Sequence, residues 1–148
     1  MHPTPRDYPE ARGGCQCGAV RFTISAGPGA TGICHCRMCQ RATGNAFAPL
    51  YQVQDDRVSW QGQAAEWASS NISCRGFCRA CGTPLYMRTG DTYEFMAGCL
   101  HPDFPFVPQD QGGIESRLEW LDTLPTLPAH TTREKWLAVV VSNQAEED

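Results

Sequence analysis

The sequence predicts a small, mostly β domain with few short helices, and three observations carry that prediction. Short stretches alternate apolar and polar residues: Val20, Phe22 and Ile24 share one side of residues 19–25, the two-residue period of a half-buried strand. Turn residues separate such stretches, as in Thr89-Gly90-Asp91 between 84–88 and 92–97, which is a hairpin signal. Cysteines fall in tight C-x-C and C-x-x-C clusters, which suit extended segments and tight knuckles rather than helix faces.

In chain order, residues 1–11 lack an apolar segment and are expected to form a loose arm. The strand over 19–25 follows Gly18, where a turn with positive φ suits glycine. One helical turn is expected over 40–43, after Cys39. Residues 46–54 and 58–61 read as two strands joined at Asp55-Asp56. Gly82 follows a second knuckle as Gly18 follows the first. Residues 99–113, rich in Pro, Asp and Gln, read as a long loop, and long loops in compact domains are often functional. Trp120, Leu121 and Leu124 form an apolar set expected to pack on the sheet. Thr131-Thr132-Arg133-Glu134 reads as a capping box ahead of a short helix over 135–141, although Val139, Val140 and Val141 suit a strand equally well. Trp136 and Leu137 are candidates to pack on the domain or in a homodimer, and the terminal QAEED is expected to fray.

The chain has 148 residues, 41% of them apolar, enough for one domain with its own core. No apolar run approaches the roughly 18 residues that span a membrane. With no apolar segment near the N-terminus, a cytoplasmic location is the expectation. The net charge of −4 is uneven. Residues 1–90 carry nine arginines and five acids, while residues 91–148 carry three basic residues and eleven acids. Eight of the nine cysteines lie in two acid-free windows, 11–54 and 67–90, interleaved with Arg37, Arg41, Arg75 and Arg79. Guanidinium groups stabilise the residual charge of metal-bound thiolates and attract anionic small molecules. Nucleic acid is not the expected partner, because the second part is acidic and no basic stripe with interleaved aromatics occurs.

Seven of the cysteines cluster: Cys15 and Cys17, Cys34, Cys36 and Cys39, and Cys78 and Cys81. Their odd total and close spacings fit a disulfide framework poorly. Soft thiolates with no carboxylate nearby favour zinc over magnesium or calcium, with an iron–sulfur cluster as the alternative. A C-x-C joined to a C-x-x-C makes a closed site of four thiolates, the pattern of a structural zinc; three ligands with an open place are the pattern of a catalytic one. Spacing leaves the partition open. Cys15 and Cys17 could pair with the middle cluster, and Cys74, Cys99, His35 or His101 could complete a second site. Cys74 and Cys99 read more simply as small buried hydrophobes.

Five stretches occur together in order: GGCQCGAVRF (13–22), CHCRMCQRATG (34–44), FCRACGTPLY (77–86), AGCLHPD (97–103) and IESRLEWLDTLP (114–125). They resemble the glutathione-dependent formaldehyde-activating enzyme family, which includes the centromere protein V domain. The resemblance covers residues 12–126 and leaves 127–148 as a C-terminal extension. It implies a β-tent of coiled antiparallel sheets built around a structural zinc. It further implies that Cys15, Cys17, Cys78 and Cys81 hold that zinc, and that Cys34, Cys36 and Cys39 hold a catalytic one. The implied activity is that of a zinc-dependent carbon–sulfur lyase acting on a thiol adduct of a small aldehyde, as in S-hydroxymethylglutathione synthesis. Cys99 and His101 depart from the family's pattern of Gly, Ser or Thr, Leu, then Asp.

For such an enzyme, Arg37, Arg41 and Arg75 are candidates to grip substrate carboxylates, and His101 is a candidate substrate-binding residue and general acid. A glutathione-like thiol and an aldehyde are the expected partners. The alternatives are a non-catalytic zinc-binding interaction module and a thiol or zinc redox sensor.

Overall fold

The computed structural model describes residues 3–132 and 139–146. Its elements are β1 (Arg6–Tyr8), β2 (Ala11–Gly14), β3 (Arg21–Ile24), β4 (Gly27–Cys34), α1 (Arg37–Thr43), β5 (Ala48–Gln54), β6 (Val58–Gln61), β7 (Ala65–Ala68), β8 (Ser73–Phe77), β9 (Pro84–Thr89), β10 (Thr92–Met96) and β11 (Asp110–Gly112). The prediction of a mostly β protein with few short helices holds.

The larger sheet runs β1-β4-β5-β10-β9-β8-β7, with β11 paired in parallel to β4. All its other pairings are antiparallel. A smaller antiparallel sheet runs β2-β3-β6. The core lies where inward faces meet. Phe22 of β3 packs on Phe95 of β10 with ring centroids 4.4 Å apart, and Tyr51 of β5 packs on Phe104 at 4.6 Å. Val20, Ile24, Tyr51, Leu85 and Phe95 are buried. Each such side chain contributes roughly 1.5–3 kcal/mol by leaving water.

The β9–β10 hairpin turns at Gly90, whose φ of +60° lies in the left-handed region open to glycine. Gly18 and Gly82 likewise have φ near +80° and +79°. Where the sequence suggested a loose arm, residues 6–8 are tied down. β1 pairs with β4, and Tyr8 stacks on Phe104 at 5.5 Å. The Gly-rich β4 shows no alternation, so its strand character comes from pairing rather than pattern. The long loop over 99–113 contains β11.

The apolar set of Trp120, Leu121 and Leu124 is not buried. Trp120 and Leu124 stand 52% and 48% exposed on a 3-10 stretch, Glu119–Thr126, that runs along the surface. Most of the capping box and expected helix, with Trp136 and Leu137, lies outside the described residues. Val139, Val140 and Val141 are exposed and form no strand.

Candidate metal centres

The fold sorts the seven clustered cysteines into two groups. Cys15, Cys17, Cys78 and Cys81 form one, and Cys34, Cys36 and Cys39 the other. Within each group the sulfurs lie within 4.8 Å of one another.

The first group joins two knuckles. One follows β2, where Gly18 N donates to Cys15 O at 3.2 Å and Cys15 N to Val20 O at 2.9 Å. The other links β8 to β9, where Gly82 N donates to Cys78 O at 2.8 Å. Sulfur separations are 3.6 Å for Cys15–Cys17 and 3.7 Å for Cys17–Cys78. Tetrahedral zinc with Zn–S near 2.3 Å sets its sulfurs about 3.8 Å apart, so the group has the size of that polyhedron. Cys15 and Cys78 are buried. The Thr83 hydroxyl, 3.1 Å from the Cys81 sulfur, holds that thiol down to about 6.

The second group is built by the end of β4 and the start of α1. Cys34 ends the strand. Cys36 is the N-cap of α1 and its sulfur accepts from Cys39 N at 3.4 Å. Cys39, one turn in, is buried. A hydrogen bond from the Cys34 thiol, aided by Arg75, holds Cys39 down to about 5, while Cys34 is pushed up by the same bond and by burial. Arg75 reaches across from β8, its Nη2 donating to Cys39 Sγ at 3.5 Å. A thiolate beside a guanidinium is a ready soft ligand. No carboxylate or imidazole joins either group among the described residues. This donor chemistry fits zinc and not a hard cation.

The other predicted residues separate. The His35 ring turns away from the thiols. It is buried, with Nε2 3.0 Å from Gln111 Oε1 and an edge contact to Phe47. Cys99 donates to Pro84 O at 3.1 Å, and burial pushes its thiol up to about 12. Cys74 sits on β8 in contact with Glu66 and Arg88. His101 is not part of the three-thiol group. It lines a cleft of about 810 Å³ beside the four-thiol group, with Arg12, Arg21 and Thr83, and its Nδ1 accepts from Asp103 N at 3.2 Å. Cys99 lines the same cleft. Arg37 and Arg41 stand one helical turn apart on the exposed side of α1 and line a groove of about 410 Å³ with Asn45 and Trp120.

Two supports of the three-thiol group were not foreseen. Gln40 is buried and its amide donates to His35 O at 2.7 Å and Ser116 O at 2.8 Å, tying α1 to the chain that passes over it. Gly113, with φ +65°, leaves no room for a side chain, because a Cβ there would lie 2.6 Å from Cys36 N. The Gly112-Gly113 doublet was the available signal.

Two sheets with a four-thiol group between their knuckles, and a three-thiol group where β4 meets α1, give a β protein with two cysteine clusters that could hold metal ions. The chain belongs to the glutathione-dependent formaldehyde-activating enzyme family, whose profile matches residues 10–111. A relative described as an uncharacterized lyase of Schizosaccharomyces pombe is 32% identical over 78 residues. That match covers 53% of this chain and 57% of the relative, so the chain spans little more than half the relative's length.

Proposed function

We propose that this protein is a zinc-dependent carbon–sulfur lyase-type enzyme that joins a glutathione-like thiol to a small aldehyde and reverses that addition. The observation that carries the reading is the unequal ligand count, four thiols in one group and three in the other. The larger cleft lies beside the four-thiol group, but a closed ligand set has no place for a substrate, so ligand number outweighs cavity size. Family membership and the lyase name of the yeast relative support the reading.

Cys15, Cys17, Cys78 and Cys81 would hold a structural zinc, and Cys34, Cys36 and Cys39 a catalytic one. A zinc with an open place supplies a lowered thiol pKa, and three thiolates suit thiol activation better than water activation. The protein's own residues then orient and hold. Cys36 fixes the start of α1 and so the spacing to Cys39. Arg75 donates a hydrogen bond to the Cys39 sulfur at the edge of the group. Arg37 and Arg41 present two guanidinium groups along one groove, suited to the carboxylates of the thiol.

The test is adduct formation by protein reconstituted with two zinc ions per chain. Glutathione with formaldehyde is the first pair, followed by other thiols and aldehydes. The expected result is a rate above the uncatalysed one that disappears when one zinc equivalent is removed. No acceleration with any pair would end this reading and leave a zinc module or a thiol sensor.

A further inference from the structure

We propose that Arg75 is a catalytic residue that donates a hydrogen bond to the aldehyde oxygen as the carbon–sulfur bond forms. The inference rests on the thiol–aldehyde chemistry proposed above. Arg75 stands on β8 in register with Trp67 of β7 and Met87 of β9. Its Nη2 donates to Cys39 Sγ at 3.5 Å. Its Nη1 is buried and has no hydrogen-bond partner among the described residues. A buried donor without an acceptor costs about 1–3 kcal/mol. The guanidinium is a rigid planar fork, so one tine on Cys39 fixes where the other can meet an acceptor. That place is beside the three-thiol group, within the width of the guanidinium itself.

The reaction supplies an acceptor there. The thiol sulfur bonds to the carbonyl carbon, the π pair of the C=O bond moves onto oxygen, and the thiol's proton ends on that oxygen. No oxidant or further reactant is needed. The charged oxygen is two bonds from the reacting sulfur. In glutathione the nearest carboxylate oxygen, on the glycine, is seven bonds away, which places the carboxylates farther out. Arg37 and Arg41, on the exposed side of α1, suit those. A donor fixed before charge develops acts on the chemical step more than on binding.

The experiment compares wild type with Arg75→Lys and Arg75→Ala, using glutathione and its diethyl ester, which lacks both carboxylates. Arg75→Lys keeps a positive charge near Cys39 but loses the fork. The expected result is a roughly 100-fold fall in kcat, equal for both thiols, with KM for the thiol within about twofold. The thiolate-to-metal charge-transfer band of Co²⁺-loaded Arg75→Lys should match wild type, and free guanidinium should restore part of the activity of Arg75→Ala. A loss confined to glutathione and absent with the ester would assign Nη1 to a carboxylate and overturn the proposal. An altered cobalt band accompanying the loss would make Arg75 a support of the metal ligands, which also overturns it. Active wild type with unchanged Arg75→Lys defeats this inference alone. Inactive wild type defeats the proposed function and this inference together.

Discussion

Cys36 holds two positions at once, a ligand candidate and the N-cap of α1, with its sulfur accepting from Cys39 N at 3.4 Å. Serine is among the best N-cap residues, and alanine one of the poor ones, a difference of about 1 kcal/mol. Cys36→Ser should therefore lose one zinc equivalent while keeping the helix, and Cys36→Ala should lose the same zinc and melt lower. Metal content per chain and thermal melting, measured side by side, check this. If Cys36→Ser retains both ions, the cysteine caps the helix and nothing more. At this scale the cysteine pairs were legible because ligand spacing is local in sequence. Arg75 was legible because an arginine in an acid-free window has few carboxylates to pair with. Gly113 and the Gln40 amide were not. Their constraints come from chain segments that meet only after folding, and even the Gly112-Gly113 doublet does not say which segment it meets.

Strands with alternation, such as β3, were visible in the sequence, whereas β7 and β8 were not, since their residues alternate weakly and their pairing is long-range. β7 is one of the outer strands of the larger sheet, and Glu66 fastens it. Its carboxylate accepts from Arg88 at 3.1 Å and from the Tyr86 hydroxyl at 2.9 Å. The Arg88 guanidinium, and after it Tyr86, hold the Glu66 carboxyl below its ordinary range. A carboxyl lowered by folding stabilises the folded state above its unfolded pKa and loses that contribution as pH falls through the folded value. The unfolded value is about 4.3, so the effect is complete at neutral pH and fades below about pH 4. The side chains of Arg88 and Glu66 are about a third exposed, 35% and 36%. Solvent screening then limits the contribution to under about 1 kcal/mol. Thermal melts of wild type and Glu66→Gln between pH 7 and pH 3 should differ at neutral pH and converge in acid. Parallel curves across that range would remove Glu66 from the acid response.

Across the whole molecule, the four-thiol group adds a second link between the smaller sheet and the larger one, beside the packing of Phe22 on Phe95. Cys15 and Cys17 leave β2, Cys78 and Cys81 leave β8, and Cys17 and Cys78 are 61 positions apart. Closing a loop of that length costs roughly 4 kcal/mol beyond a constant. Zinc bound by such a site contributes on the order of 10–16 kcal/mol, more than enough to offset it. The three-thiol group closes no such loop, since β4 and α1 are neighbours in sequence and β4–β5 pairing holds them without an ion. The two sites should therefore fail differently under a chelator titration. One zinc should leave first, with far-UV circular dichroism and melting temperature nearly unchanged. The second should leave only as the chain unfolds. Cys34→Ser should remove the early step and spare the late one, while Cys78→Ser should leave the protein unfolded or melting far lower. A Cys34→Ser protein that unfolds, or a Cys78→Ser protein that melts like wild type, would reverse the assignment of which ion holds the shape. The substrate's place would then have to be sought in the cleft beside His101.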